Sequence, residues 1–283
     1  MASFCATVIN SSLKSMASVP KIRDPKIREP KKIREPKTVT AATAKQRMLK
    51  QLVCSDAPEQ ALRYHGYRCI AGVDEVGRGA LFGPVVAAAV ILPERMSGLA
   101  RAGLKDSKQL TREEREKLDR KIRRVALAIS VAEIDAETID RVNIYQATRL
   151  AMLAAVQGLS VTPDHLLIDA MRLDHPCAQT KLFYGDSLSL SIAAASVIAK
   201  VHRDALMRAL DSLHPGYGLA SHKGYGTPAH RRALVAQGPS VLHRRTFAPV
   251  RAVDPDAVLE EQISSEFLFE DADLEEGAEW ACD

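Results

Sequence analysis

Two adjacent carboxylates, Asp74 and Glu75, stand at the end of an apolar approach and directly before a glycine-rich turn, in the stretch Tyr67–Pro84 (YRCIAGVDEVGRGALFGP). A regular strand sends successive side chains to opposite faces, so these two acids share one site only if the strand stops or twists there. Gly77, Gly79 and Gly83 make such a turn cheap, and Arg78 lies between the first two. Amides exposed in a Gly-x-Gly turn form a nest for anions, and paired carboxylates suit a divalent cation. Together these residues point to metal-assisted phosphodiester chemistry. They also spell an ordinary charged hairpin turn, and alone they do not choose between the two.

Other residues with chemical potential follow at intervals. Asp169 closes the apolar segment Asp164–Asp169 (DHLLID). The carboxyl end of a strand is where α/β proteins place ligands, although an acid there also begins a turn. Asp186 lies in Gly185-Asp186-Ser187, after a further strand candidate. Lys105 and Lys108 flank Ser107 just before a helix, either as phosphate contacts or as a solvated cap. Ser196, Lys200 and Asp204 fall at i, i+4 and i+8, the spacing of a salt-bridged stripe. The loop His214–Pro228 (HPGYGLASHKGYGTP) offers Tyr217, Lys223 and Tyr225, arranged either to grip nucleic acid or to pack on the core. The five cysteines lack any C-x-x-C spacing and the eight histidines any H-E-x-x-H pattern, which argues against a disulfide framework and a zinc site. A reducing compartment, the cytoplasm, is the expectation.

The elements that must position these residues read as an α/β domain. Tyr67–Asp74 and Pro84–Leu92 predict a strand pair joined by the glycine turn, the second strand being covered on both faces. Thr111 and Glu114 carry a capping-box signature at the start of a helix. Val125–Ile134 predicts a third strand, and Ala136–Leu159 a long helix with Ile139, Val142, Tyr145, Leu150, Leu153 and Val156 as core. Strands at Asp164–Asp169 and Lys181–Tyr184 precede a helix over Leu188–Leu213 that is rich in Ala and Ser, which implies close packing or close approach of a ligand. A short helix, Ala229–Gln237, and the basic His243-Arg244-Arg245 end the folded part, and another short helix is expected near Ala42–Val53.

A net charge of +4 conceals a divided chain. Residues 1–50 hold 12 Lys/Arg against 3 Asp/Glu and include the repeat KIRDP-KIREP-KKIREP, whose prolines forbid a long helix. They are read as a disordered basic arm, a solvated tail or a weak tether to nucleic acid, with a transit peptide as the minor reading. Residues 51–253 are read as the folded domain, with 27 bases and 20 acids, and 254–283 as an acidic, disordered tail with 12 acids and no base. The longest apolar run, Val85–Leu92, is too short to span a bilayer, so no membrane span is expected.

In order, AGVDEVGRG, LKDSKQL, LLIDA, GDS followed by AAASVIAKVHRD, HKGYGT and HRRTFAPV resemble the bacterial ribonuclease HII family over about Tyr67 to Val250. The resemblance implies an RNase H-like α/β fold: a central mixed five-stranded sheet, three strands antiparallel and then two parallel, flanked by helices, with a helical C-terminal extension. It implies endonucleolytic cleavage of RNA in RNA–DNA hybrids, and cleavage 5′ of a single ribonucleotide in duplex DNA, leaving 3′-hydroxyl and 5′-phosphate ends. Asp74, Glu75, Asp169 and Asp186 would be the catalytic acids and the ligands of Mg²⁺ or Mn²⁺, two ions about 4 Å apart with substrate bound. Gly77, Arg78 and Gly79 would clamp the ribonucleotide 2′-OH and its phosphates, and Tyr225 would pack on the following sugar. Lys108 and Ser107 would contact phosphate, the protein working as a monomer on its duplex. Lys105 stands where the family often has Asn, and Ala193 where it often has Ser. A catalytically silent hybrid-binding protein, or another nuclease of the same fold such as a resolvase or transposase type, is the alternative.

Overall fold

The computed structural model describes residues 52–254, so the basic arm, most of the predicted helix near Ala42–Val53 and nearly all of the acidic tail lie outside the described residues. Five strands form one sheet: β1 (Ile70–Val76), β2 (Val85–Ile91), β3 (Ala128–Ile134), β4 (His165–Asp169) and β5 (Ala178–Leu182). Their spatial order is β3-β2-β1-β4-β5. β1 pairs antiparallel with β2 and β2 with β3, whereas β4 runs parallel to both β1 and β5. The expected mixed sheet is therefore present, with the change from antiparallel to parallel at β1.

Every residue of β2 is buried, because helices cover both faces of the sheet. On one face Val85, Ala87, Ala89 and Ile91 meet helix α4 (Ala136–Gln157) through Ile139, Ala147, Ala151 and Met152. On the other, Val86, Ala88 and Val90 meet α3 (Arg112–Val125) and α5 (Leu190–Leu213). The alternation explains why the strand reads as one unbroken apolar run. Shorter helices complete the element order: α1 (Ala57–Tyr64), α2 (Ser97–Arg101), α6 (Leu219–His222), α7 (Pro228–Gln237) and α8 (Ala248–Arg251).

Local chemistry fixes the helix starts. Thr111 and Glu114 form both halves of the capping box that opens α3. Ser189 caps α5, and the buried Glu59 of α1 adds a second acceptor: its Oε1 takes hydrogen bonds from Ser189 Oγ at 2.6 Å and Ser191 N at 2.8 Å. A carboxylate at the amino end of a long helix also complements its dipole. Sequence periodicity had given neither α1 nor α2.

Several expectations need correction. β1 does not stop at Asp74 but stays in register with β2 as far as Val76, so both acids lie within the strand. Val125 ends α3 rather than opening β3. α4 is broken at Asn143, whose φ of 67° is left-handed and whose side chain accepts hydrogen bonds from the amides of Tyr145 and Gln146. Asn143 thus acts as a cap inside the helix and resets its phase. Tyr145 and Leu150, expected in the core, are consequently 50% and 43% exposed, and alanines take their place.

The small residues of α5 allow its backbone to lie directly on β1. A Cβ added at Gly72 would fall 2.1 Å from the carbonyl carbon of Ser191. Gly72→Ala must push α5 off the strand, and we expect it to destabilise the fold by about 3 kcal/mol, read as a lower urea midpoint with an unchanged slope.

Candidate active site

Asp74 and Glu75 project from the carboxyl end of β1, where β4 no longer accompanies it: the parallel ladder ends at Ile168 opposite Val73, and Asp169 terminates β4. Strand alternation places Asp74 on the α5 side with Gly72, and Glu75 on the α4 side with Val73. The two acids therefore share a site not through a break in β1 but because the strand overhangs its neighbour. Glu75 donates its amide to Asp74 Oδ1 at 2.8 Å.

Asp186 arrives by a different route. It sits in the 3-10 turn Gly185–Ser187, beyond the end of β5, and the preceding Tyr184 adopts a left-handed φ of 58°. Asp169 ends its strand as expected, whereas Asp186 stands in a turn beyond β5. Gly185 binds the turn to the strand by donating its amide to Asp169 Oδ1 at 2.8 Å. Its Cβ would stand 2.6 Å from Ile192 Cδ1, so a side chain there would have to displace Ile192 of α5.

The four carboxyls act on one another. Asp74 is 4% exposed, and burial raises its pKa well above the usual carboxylate range, with Glu75, Asp169 and Asp186 adding to the rise. A hydrogen bond from Ser196 opposes it. Glu75 is raised by burial and by Asp169 against the pull of Arg78, whose Nη1 lies 3.3 Å from Glu75 Oε1. Asp169 is raised by burial and by Asp186, and Asp186 by burial against the pull of Lys108. Burial alone would lower Lys108, yet Asp186, Asp74 and Asp106 outweigh it and hold the ammonium above its ordinary value. Its side chain is 80% exposed and reaches in to 3.2 Å from Asp186 Oδ2.

Ser107 Oγ and Ser196 Oγ are 2.9 Å apart, joining the segment before α3 to the α5 residue that touches Asp74. Ser196, read from its spacing as part of a salt-bridged stripe, is instead buried at the site, whereas Lys200 and Asp204 of the same row form the expected ion pair at 2.7 Å. Glu75 Oε2 is buried with no hydrogen-bond partner. Among the described residues no three ligand-type side chains are gathered closely enough to chelate one ion, and Lys108 and Arg78 stand against two of the acids. An orphaned, buried carboxylate oxygen amid mutually repelling acids nonetheless fits a divalent cation, whose hard charge would satisfy it.

The glycine and tyrosine loops meet beside this corner. Leu81 N donates to Gly224 O at 2.8 Å, and Ala80 bridges Tyr225. The half-buried ring of Tyr225 lies 5.6 Å from the guanidinium of Arg203 and 5.9 Å from the Lys200 ammonium. Gly77 and Gly83 have φ of 93° and 77°, which a side chain would strain; Gly79 does not, and a Cβ there would meet nothing within 4 Å. Tyr217 proves to be a core residue, its hydroxyl donating to Gly238 O at 2.8 Å. Imidazoles underpin the tyrosine: His230 Nδ1 lies 3.1 Å from Tyr225 O, and His230 Nε2 lies 3.2 Å from His243 Nε2. His243 and Arg244, of the basic run that ends the folded part, are buried.

The chain matches the family model described as Ribonuclease HII over residues 71–250. It is 56% identical over 225 residues to the Ribonuclease HII of Koribacter versatilis (strain Ellin345), covering 79% of this chain and 87% of that protein. It is 50% identical over 210 residues to the Ribonuclease HII of Bacillus subtilis (strain 168), covering 74% and 81%. Among solved structures, the ribonuclease H2 from Pyrococcus horikoshii OT3 superimposes with a TM-score of 0.59 at 26% identity, covering 66% of this chain and 98% of that one.

The imidazole support gives the tyrosine loop an acid-sensitive anchor. Burial, with His230 and His214 nearby, lowers His243 from 6.5 to about 3. The folded protein thus refuses a proton that the unfolded chain accepts below about pH 6.5, and stability falls with pH in that window. Between pH 7 and pH 5 we expect a loss on the order of 2 kcal/mol from this residue, and a shallower pH slope in urea melts of His243→Gln.

Proposed function

Because the chain belongs to the ribonuclease HII family of endoribonuclease H hydrolases, we propose that it cleaves the RNA strand of RNA–DNA hybrids and cuts 5′ of a single ribonucleotide in duplex DNA with Mg²⁺ or Mn²⁺ bound. The products are a 3′-hydroxyl and a 5′-phosphate, and one copy of the chain suffices. One observation carries the metal-dependent part of the reading: the buried, unpartnered Glu75 Oε2 at a corner where three further carboxylates raise one another's pKa.

Asp74, Glu75, Asp169 and Asp186 would hold the divalent ions. Such ions, when bound, supply an activated water and stabilise the leaving oxygen. Gly185 N fixes the Asp169 carboxylate and Ser196 steadies Asp74, so two of the four acids are oriented before any ligand arrives. Lys108 neutralises Asp186 in the free protein. Once cations take over that role, its exposed side chain can turn to a phosphate with Ser107 beside it. The open space at Gly79 leaves the backbone of the glycine loop accessible to a sugar, and a 2′-hydroxyl in contact there distinguishes RNA from DNA. Tyr225, held next to that loop, offers an apolar face for the adjoining deoxyribose.

The test is a duplex carrying one ribonucleotide, with the cut position mapped. We expect a single Mg²⁺- or Mn²⁺-dependent cut on the 5′ side of the ribonucleotide, none in the all-deoxy duplex, and loss of cleavage in Asp169→Asn with duplex binding kept. Equal cutting of the all-deoxy duplex, or near-normal turnover by Asp169→Asn, refutes the reading.

A further inference from the structure

Beneath the glycine loop lie two guanidinium groups that the chemistry above leaves unused. Arg203, from the HRD of α5, and Arg244 are both fully buried. Arg203 donates from Nε to Pro84 O at 3.0 Å, from Nη2 to Phe82 O at 3.1 Å and from Nη1 to Lys223 O at 2.9 Å. Arg244 donates from Nε to Gly83 O and from Nη1 to Arg78 O, both at 2.9 Å. Five carbonyls are thereby drawn inward. Four belong to the loop between β1 and β2, and the fifth lies two residues before Tyr225.

Among the described residues, neither guanidinium has a carboxylate within salt-bridge distance. Arg244 Nη2 is buried with no hydrogen-bond partner. Two buried, unneutralised cations are expensive, and apolar side chains of similar volume would fill the same space at less cost. A purely space-filling role does not account for them. A planar fork does what an apolar group or an ammonium cannot: it fixes several carbonyls in one plane and leaves its charge beneath them. Contact with the loop is intimate, since a Cβ on Gly77 would fall 2.2 Å from Arg203 Nε. The Arg203 guanidinium also lies 5.6 Å from the Tyr225 ring, so one side chain touches both loops.

We propose that Arg203 and Arg244 are positioning residues for ribonucleotide recognition: Arg203 ties the glycine loop to the tyrosine loop and Arg244 braces the glycine loop from beneath, so that sugar reading and sugar packing are set at one fixed spacing. This rests on the function proposed above. Discrimination between ribose and deoxyribose then depends on the two arginines, although neither reaches the substrate. Affinity for duplex DNA as such, governed by surface cations and phosphates, does not.

The test compares binding of two duplexes, identical except for one ribonucleotide, by fluorescence anisotropy without divalent metal, so the readout is independent of turnover. For Arg203→Lys and Arg244→Lys we expect affinity for the ribonucleotide duplex to fall about tenfold, the scale of losing one good hydrogen-bonded contact, while the all-deoxy duplex changes less than twofold. Circular dichroism at the assay temperature identifies folded variants. Should Arg203→Lys unfold, Arg244→Lys, with fewer carbonyls to release, carries the comparison. An unchanged preference in folded variants overturns the proposal, as does an equal loss on both duplexes. Cleavage by the wild-type chain with Mg²⁺ is scored separately, so a failure of the hydrolase reading is distinguishable from a failure of the arginine lock.

Discussion

Like charges forced together at the carboxyl ends of the inner strands are the constraint on which this structure turns. Asp74, Glu75, Asp169 and Asp186 come from a strand interior, a strand end and a turn, yet Asp74, Glu75 and Asp169 each feel at least one of the others, and Asp186 acts on both Asp74 and Asp169. Water would screen such repulsion; burial removes the water and magnifies it. Lys108 and Arg78 relieve part of the excess through one contact each, and Glu75 Oε2 is left with nothing. An arrangement of this kind is costly to stability, and divalent cations at the site would offset that cost.

The rest of the fold supplies the rigidity that holds the acids in place against their repulsion. β1 is clamped between β2 and β4 and pressed by α5, which approaches so closely that only glycine fits at position 72. Glu59 and Ser189 fasten the start of α5, immediately after the turn bearing Asp186. Ser196 and Ser107 link the helix to the segment carrying Lys108. On the far side of the corner, buried arginines and imidazoles brace the two loops suited to substrate. Charge and polarity are concentrated in the packing around the site, while β2, buried along its whole length, is alanine, valine and isoleucine.

Much of this was legible in the sequence, for physical reasons that differ by residue. The glycines around Arg78 and the acid closing DHLLID announce their roles because turns and strand ends demand particular residue types. The capping box of α3 was readable because it is local, needing only Thr111 and Glu114. Register was not: the overhang that unites Asp74 with Glu75 depends on where β4 stops, which no pattern within β1 encodes. Asn143 hid the helix break, since a polar residue in an amphipathic helix looks like surface until its side chain caps the next turn. Arg203 and Arg244 resemble surface charges in any composition-based reading. Only the loops folded over them reveal that they are core.

The most direct check on this account is the stability of the metal-free protein when one charge is taken from the cluster. In the presence of a chelator at pH 7, Asp74→Asn should raise the urea midpoint relative to wild type, because it removes a carboxylate that burial, together with the neighbouring acids, holds above its ordinary pKa. Saturating Mg²⁺ or Mn²⁺ should then stabilise wild type and leave the variant nearly unmoved. A variant that is less stable than wild type under chelation, yet equally stabilised by the metal, would mean that the four acids neither repel one another nor share ions.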